Sequence, residues 1–136
     1  MYEGGHRVPR IATWPGVIPP GSTNEETVMT VDFFPTFAKL AGVASPEGHR
    51  LDGVDMMPLL KGDTKKHDRT FHWLFGNSWA VRKGPWKLIG DGKAARSLVN
   101  LKDDMGEKQN QLEEQPERGK ELAKLRENWV EEVGGR

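Results

Sequence analysis

Apolar positions recur along the chain at two different spacings. In "TVDFFPTFAKLAG", Val31, Phe34, Phe37, Leu40 and Ala41 fall three and four residues apart, the period of one face of a helix. Asp32 or Thr30 is placed to cap the free amides at its start. Pro35 falls in the first turn, where its missing N–H is tolerated, and Gly42 suits the left-handed residue that closes a helix. From Pro116 to Val133 the same spacing returns in Leu122, Leu125, Trp129 and Val133, set among Glu117, Glu121, Lys124 and Glu131. This predicts a charged helix with Pro116 at its first position. Between the two helices the pattern shortens. "TFHWLFG", "SWAVRKG", "WKLIGDG" and "RSLVNLKDD" are short β-like runs separated by Gly, Pro, Asn and Asp. With Lys83-Gly84-Pro85 and Gly90-Asp91-Gly92 as hairpin turns, they predict a four-stranded antiparallel sheet. Near the start, "HRVPRIATWPG" carries Val8, Ile11 and Trp14 and ends at Pro15-Gly16. It predicts a short strand closed by a turn, with Pro9 at the strand's start or on an edge. "VIPPGSTNEE" is a surface loop, and residues 44–68 are mostly loop around an apolar island from Met56 to Leu60.

These elements divide the chain. From about residue 69, the sheet and last helix can bury each other's apolar faces and form a small α+β unit. The first 68 residues hold one good helix and one strand, too little for a core of their own. The chain is 136 residues long and 35% hydrophobic, with a mean hydropathy of −0.69, a thin supply of core formers. Twenty basic and twenty acidic residues cancel, so no long-range field draws in nucleic acid or an anionic membrane. The absence of cysteine excludes disulfides, thiolate catalysis and cysteine-bound zinc. No apolar run approaches the ~20 residues of a membrane span, and the start lacks the basic-then-apolar pattern of a signal peptide.

Candidate chemistry is sparse. The opening "MYEGGHRVPR" packs an aromatic, a carboxylate, two glycines, a histidine and two arginines around a proline, a density typical of a site. His6 can donate to an anionic substrate group or stand as a polar loop residue. Gly4-Gly5 allows close backbone approach or positive φ, or makes a plain tight turn. His72 and Trp73 lie in an apolar strand, where one of each adjacent pair faces out. The histidines at 6, 49, 67 and 72 form no HxxxH or HxH pair, so metal-ligand spacing is absent. "LDGVD" and "GDGK" complete no calcium loop, and no GxSxG or Walker loop occurs. Lys83, Lys87 and Lys93 among tryptophans read as an exposed sheet face rather than a single-strand nucleic-acid platform.

The order of the pieces carries a resemblance. "YEGGHRVPRIATWPGVIPPG", "TVDFFPTFAKLAG", "LDGVDMMPLLKG", "WAVRKGPWKLI" and "LVNLKDDMGEKQNQ" together resemble the C-terminal part of the type I sulfatases. These are the arylsulfatase-like members of the alkaline phosphatase superfamily. The resemblance runs from Tyr2 to about Gln111. It implies an α/β, alkaline phosphatase-like fold: residues 1–68 as the incomplete tail of the large sheet domain, residues 69–136 as the C-terminal subdomain. It implies a parent that hydrolyses sulfate esters with a formylglycine nucleophile and calcium. The family's nucleophile motif, its metal-binding Asp and Asn, and a sulfate-contacting Lys all stand upstream of the YEGG-type motif, so this chain holds no catalytic group and no metal ligand, needs no cofactor of its own, and is expected to be inactive alone. Tyr2, Glu3, Gly4, Gly5, Arg7 and Pro9 match the loop that shapes the sulfate pocket. His6, at a variable cleft-facing position, and His72, Trp73 and Asn77, in a strand bordering the substrate entrance, are the candidate substrate-binding residues. Met1 fits an internal methionine of a longer frame or the start of a truncated gene. The expected partner is a sulfate ester in the intact enzyme, with no nucleic acid and no membrane, and with self-association of the fragment through exposed apolar surface. A periplasmic or extracellular location is typical of the family. A non-catalytic remnant that binds a partner, and a piece of a phosphonate- or phosphodiester-cleaving relative, remain as alternatives.

Overall fold

The alternation between residues 70 and 100 folds into four strands joined by two-residue turns. In the computed structural model, which describes residues 1–44, 47–48, 50–64 and 66–134, they are β1 (Thr70–Phe75), β2 (Ser78–Lys83), β3 (Trp86–Asp91) and β4 (Ala94–Asn100). They pair in sequence order, antiparallel throughout. Each turn opens on a glycine of positive φ: Gly76, Gly84 and Gly92, at 57°, 56° and 56°. The last turn therefore falls at Gly92-Lys93, not over the predicted Gly90-Asp91-Gly92. Gly90 stays inside β3 because the Trp79 ring fills the space a Cβ there would need. The Trp79 indole also donates to the Gly92 carbonyl at 2.9 Å, which ties the turn to β2.

The two faces of the sheet have different fates. His72, Val81, Leu88 and Leu98 stand in one cross-strand row, on the face covered by the last helix, Pro116–Glu132. Trp79, Val81, Leu88, Leu98 and Leu122 form the core there, with Trp86, Leu112, Ala123 and Leu125 packed against it. Gly119 lets the helix come close: a Cβ at that position would press on the Leu112 methyl. Arg126 lays its guanidinium 4.4 Å from the centre of the Trp79 ring. The opposite face carries Phe71, Ala80, Ile89 and Val99, all buried, with Lys87 among them.

By packing, Met1–Pro9 and Asp68–Arg136 make one compact unit and Arg10–His67 another. The first nine residues, which the sequence groups with the segment that follows them, thus lie with the sheet. Glu3 is the reason, as shown below. The first helix, α1 (Glu3–His6), is a single turn on this unit.

Residues 7–14 carry no strand. Val8 and Ile11 are exposed, Ile11 at 97%, Pro9 has no N–H to give, and no strand lies in the described part of the Arg10–His67 unit to pair with. The turn that follows does form, with the Val17 and Ile18 amides donating to the Trp14 carbonyl at 3.0 and 2.9 Å. In this unit a 3₁₀ turn (Thr30–Asp32) leads into α2 (Phe33–Leu40), and the apolar island becomes α3 (Met57–Lys61). Asp32 is fully buried but does not cap α2. Its carboxylate instead accepts the Met29 amide at 2.6 Å and the Val54 amide at 3.0 Å. Thr36 donates to the Asp32 carbonyl at 2.6 Å and accepts the Met56 amide at 2.9 Å. The polar side of α2 is therefore the buried one, while Val31, Phe34, Phe37 and Leu40 of the predicted apolar stripe are exposed.

Candidate functional site

The turn "EGGH" is short because Tyr2 before it is extended (φ −89°, ψ 152°) and Arg7 after it leaves helical geometry. The Gly5 amide donates to the Tyr2 carbonyl at 3.0 Å and the Arg7 amide to the Glu3 carbonyl at 2.8 Å. Neither Gly4 nor Gly5 has positive φ, and the space beside each is open. The two glycines leave a bare backbone edge on the outer side of the turn.

On its inner side the turn sends Glu3 into the sheet. The Lys87 ammonium, fully buried, donates to Glu3 Oε1 at 2.9 Å and to Glu107 Oε1 at 2.7 Å. The second oxygen of Glu107 accepts the Glu3 amide at 2.6 Å. Arg82 and Arg7 reach within 3.6 and 3.8 Å of Glu3 Oε2. Burial alone pushes the Glu3 carboxyl up, but the hydrogen bond and charge of Lys87, with Arg82 and His6, hold it below its usual range. Glu107 meets this geometry at a price in backbone freedom: its φ is 54°, a left-handed value on a non-glycine residue.

His6 lies flat on Trp73, ring centres 4.7 Å apart and planes 15° from parallel. Its Nε2 stands 3.3 Å from Lys87 Nζ and 3.2 Å from the Met1 carbonyl. It accepts from the ammonium in one tautomer and donates to the carbonyl in the other. The structure thus brings His6 and Trp73 together and sends the other two candidates elsewhere. His72 is on the helix-covered face, stacked on Trp129, with its Nδ1 buried and without a hydrogen-bond partner among the described residues. Asn77 is exposed in the β1–β2 turn, where its carbonyl accepts the Gly92 amide at 2.8 Å. His49 lies outside the described residues.

Lys87 corrects the reading of an exposed basic sheet face. Its strand position shares a face with Phe71, Ala80, Ile89 and Val99, and residues 1–9 and the loop after β4 cover it. The signal was its place inside the apolar run "WKLI" on a face whose other positions are apolar. The counter-charges at 3 and 107 were not linked to it by any local spacing. Among the described residues no three or more His, Asp or Glu side chains converge as a metal would need. Glu3 and Glu107 already accept from Lys87, so these residues do not fit a calcium cage of ~6–8 oxygens. No helix among the described residues is long and apolar enough to cross a membrane.

The family model described as "N-sulphoglucosamine sulphohydrolase, C-terminal" matches residues 1–133. The chain belongs to this family of sulfatase C-terminal regions. The steryl-sulfatase of Homo sapiens is 45% identical over 95 residues, 68% of this chain and 16% of that protein. A sulfatase of Formosa agariphila is 35% identical over 134 residues, 85% of this chain and 24% of that protein. The solved structure of Ps i-CgsB superposes with a TM-score of 0.75 at 26% identity, over 85% of this chain and 27% of that one. The sulfatase region described here thus spans between a sixth and about a quarter of these relatives. Its four-stranded antiparallel sheet with a C-terminal helix is the fold that these neighbours share.

Proposed function

We propose that this chain is the C-terminal part of an enzyme that hydrolyses sulfate esters, and that it shapes the pocket without reacting in it. Residues 2–9 border the sulfate site, and the sheet unit holds that border in place. The observation that carries this reading is the family match over residues 1–133, which includes the EGGH turn seated by Glu3 on Lys87. The bare edge at Gly4 and Gly5 suits close approach by a ligand or by a neighbouring loop of the parent. His6 and Trp73 are the candidate substrate contacts, a flat aromatic pair beside a buried cation. Nucleophile, calcium ligands and the sulfate-contacting lysine belong to the rest of the parent.

On this reading the chain alone turns over nothing. Purified chain given a chromogenic aryl sulfate and calcium is expected to match the enzyme-free blank. Turnover that stays with the chain through repurification overturns the assignment of the chemistry to the rest of the parent.

A further inference from the structure

Lysine is among the side chains least often fully buried, and a buried ammonium is tolerated only when its donors are taken. At Lys87 they meet Glu3, Glu107 and, in the tautomer whose Nε2 accepts, His6. Two of those three lie on α1, eighty-four and eighty-one residues earlier in the chain. Glu107 grips the same turn a second time through the Glu3 amide, and does so from a left-handed backbone that its surroundings must hold in place. Position 87 sits among Phe71, Ala80, Ile89 and Val99, where an apolar residue would be at least as stable as a buried ion pair. A lysine there sets geometry.

We propose that Lys87 is a positioning residue for residues 2–9. It seats the Glu3–His6 turn on the sheet and holds the His6 imidazole parallel to Trp73, so the loop keeps one conformation. That this conformation matters at a sulfate pocket rests on the function proposed above; the seating itself does not.

The proposal has a pH signature. In a Lys87→Met chain, Glu3 and Glu107 lose the cation that both carboxylates reach, Oε1 of each lying within 2.9 Å of Lys87 Nζ. Arg82 and Arg7 stand further off, at 3.6 and 3.8 Å from Glu3 Oε2, and His6 Nδ1 lies 3.9 Å from Glu3 Oε1. Two close carboxylates resist ionising together. The loop should then stay docked at acid pH and leave the sheet near neutrality.

The test is NMR on the whole 136-residue chain, wild type against Lys87→Met and Glu3→Ala. One readout is the His6 ring-proton shift caused by Trp73, compared with wild type at each pH. The other is amide exchange at Arg7, with Val81 and Leu88 as controls for the sheet. In Lys87→Met at neutral pH the His6 signals should move to the position of a free imidazole, and Arg7 should exchange about tenfold faster or more. Val81 and Leu88 should keep their protection, and the His6 shift should return on acidification. Glu3→Ala, which leaves Lys87 balanced by Glu107, should lose the His6 shift at every pH. If Lys87→Met unfolds throughout, Glu3→Ala decides. A His6 shift and Arg7 protection that persist in Glu3→Ala, or in a folded Lys87→Met chain at neutral pH, overturn the proposal. These readouts need no substrate, so they stand apart from the sulfatase assignment.

Discussion

His72 and Trp129 stack ring on ring, centres 4.8 Å apart and planes 3° from parallel, and so fasten β1 to the end of the last helix. Burial holds the His72 imidazole down to about 4 from its ordinary 6.5, with Glu132 pulling the other way and Arg126 adding to the drop. Between those two values the unfolded chain takes up a proton that the folded chain refuses. Stability contributed here is complete above 6.5 and declines as the pH falls toward 4. His72→Phe keeps a ring against Trp129 and removes the proton. Urea unfolding of the two chains across this window should show a steeper loss with acid in the wild type. Equal slopes would contradict the placement of His72.

Trp79 and Gly90 form a second dependent pair. Gly90→Ala drives a methyl into the Trp79 ring and the Ala94 carbonyl, and overpacking of this kind costs about 1–3 kcal/mol. Trp79→Phe makes room but gives up the bond to the Gly92 carbonyl. The cost of Gly90→Ala should therefore be smaller in the Trp79→Phe background, by about 0.5 kcal/mol or more. Additive costs would show that the ring does not occupy that space.

The sheet and the last helix are legible in the sequence because their signals are local. Alternation, glycine turns and the three-four spacing of Leu122, Leu125 and Trp129 each act within a few residues. Residues 8–14 mislead for the opposite reason. Their apolar content suits a strand, but a strand exists only with a partner, and among the described residues of Arg10–His67 there is none. Along α2 the stripe of Val31, Phe34, Phe37 and Leu40 marks a helix without marking its buried side, which Asp32 and Thr36 supply through long-range hydrogen bonds. Lys87 was hidden in the same way. A single charge in a strand reads as solvent-facing until Glu3 and Glu107, distant in sequence, are seen to meet it. His6 and Trp73 were singled out separately, and only the fold of the turn onto the sheet makes them one feature.

The most direct test of the account is a chimera in which this chain replaces the 24% of the Formosa agariphila sulfatase that it matches. The measurement is kcat/KM on the sulfate ester that the parent sulfatase hydrolyses, beside the same parent cut to lack that segment. A C-terminal region that completes the pocket edge should restore turnover to the folded chimera, while the cut parent stays inactive. A monomeric, folded chimera no more active than the cut parent would contradict the assignment.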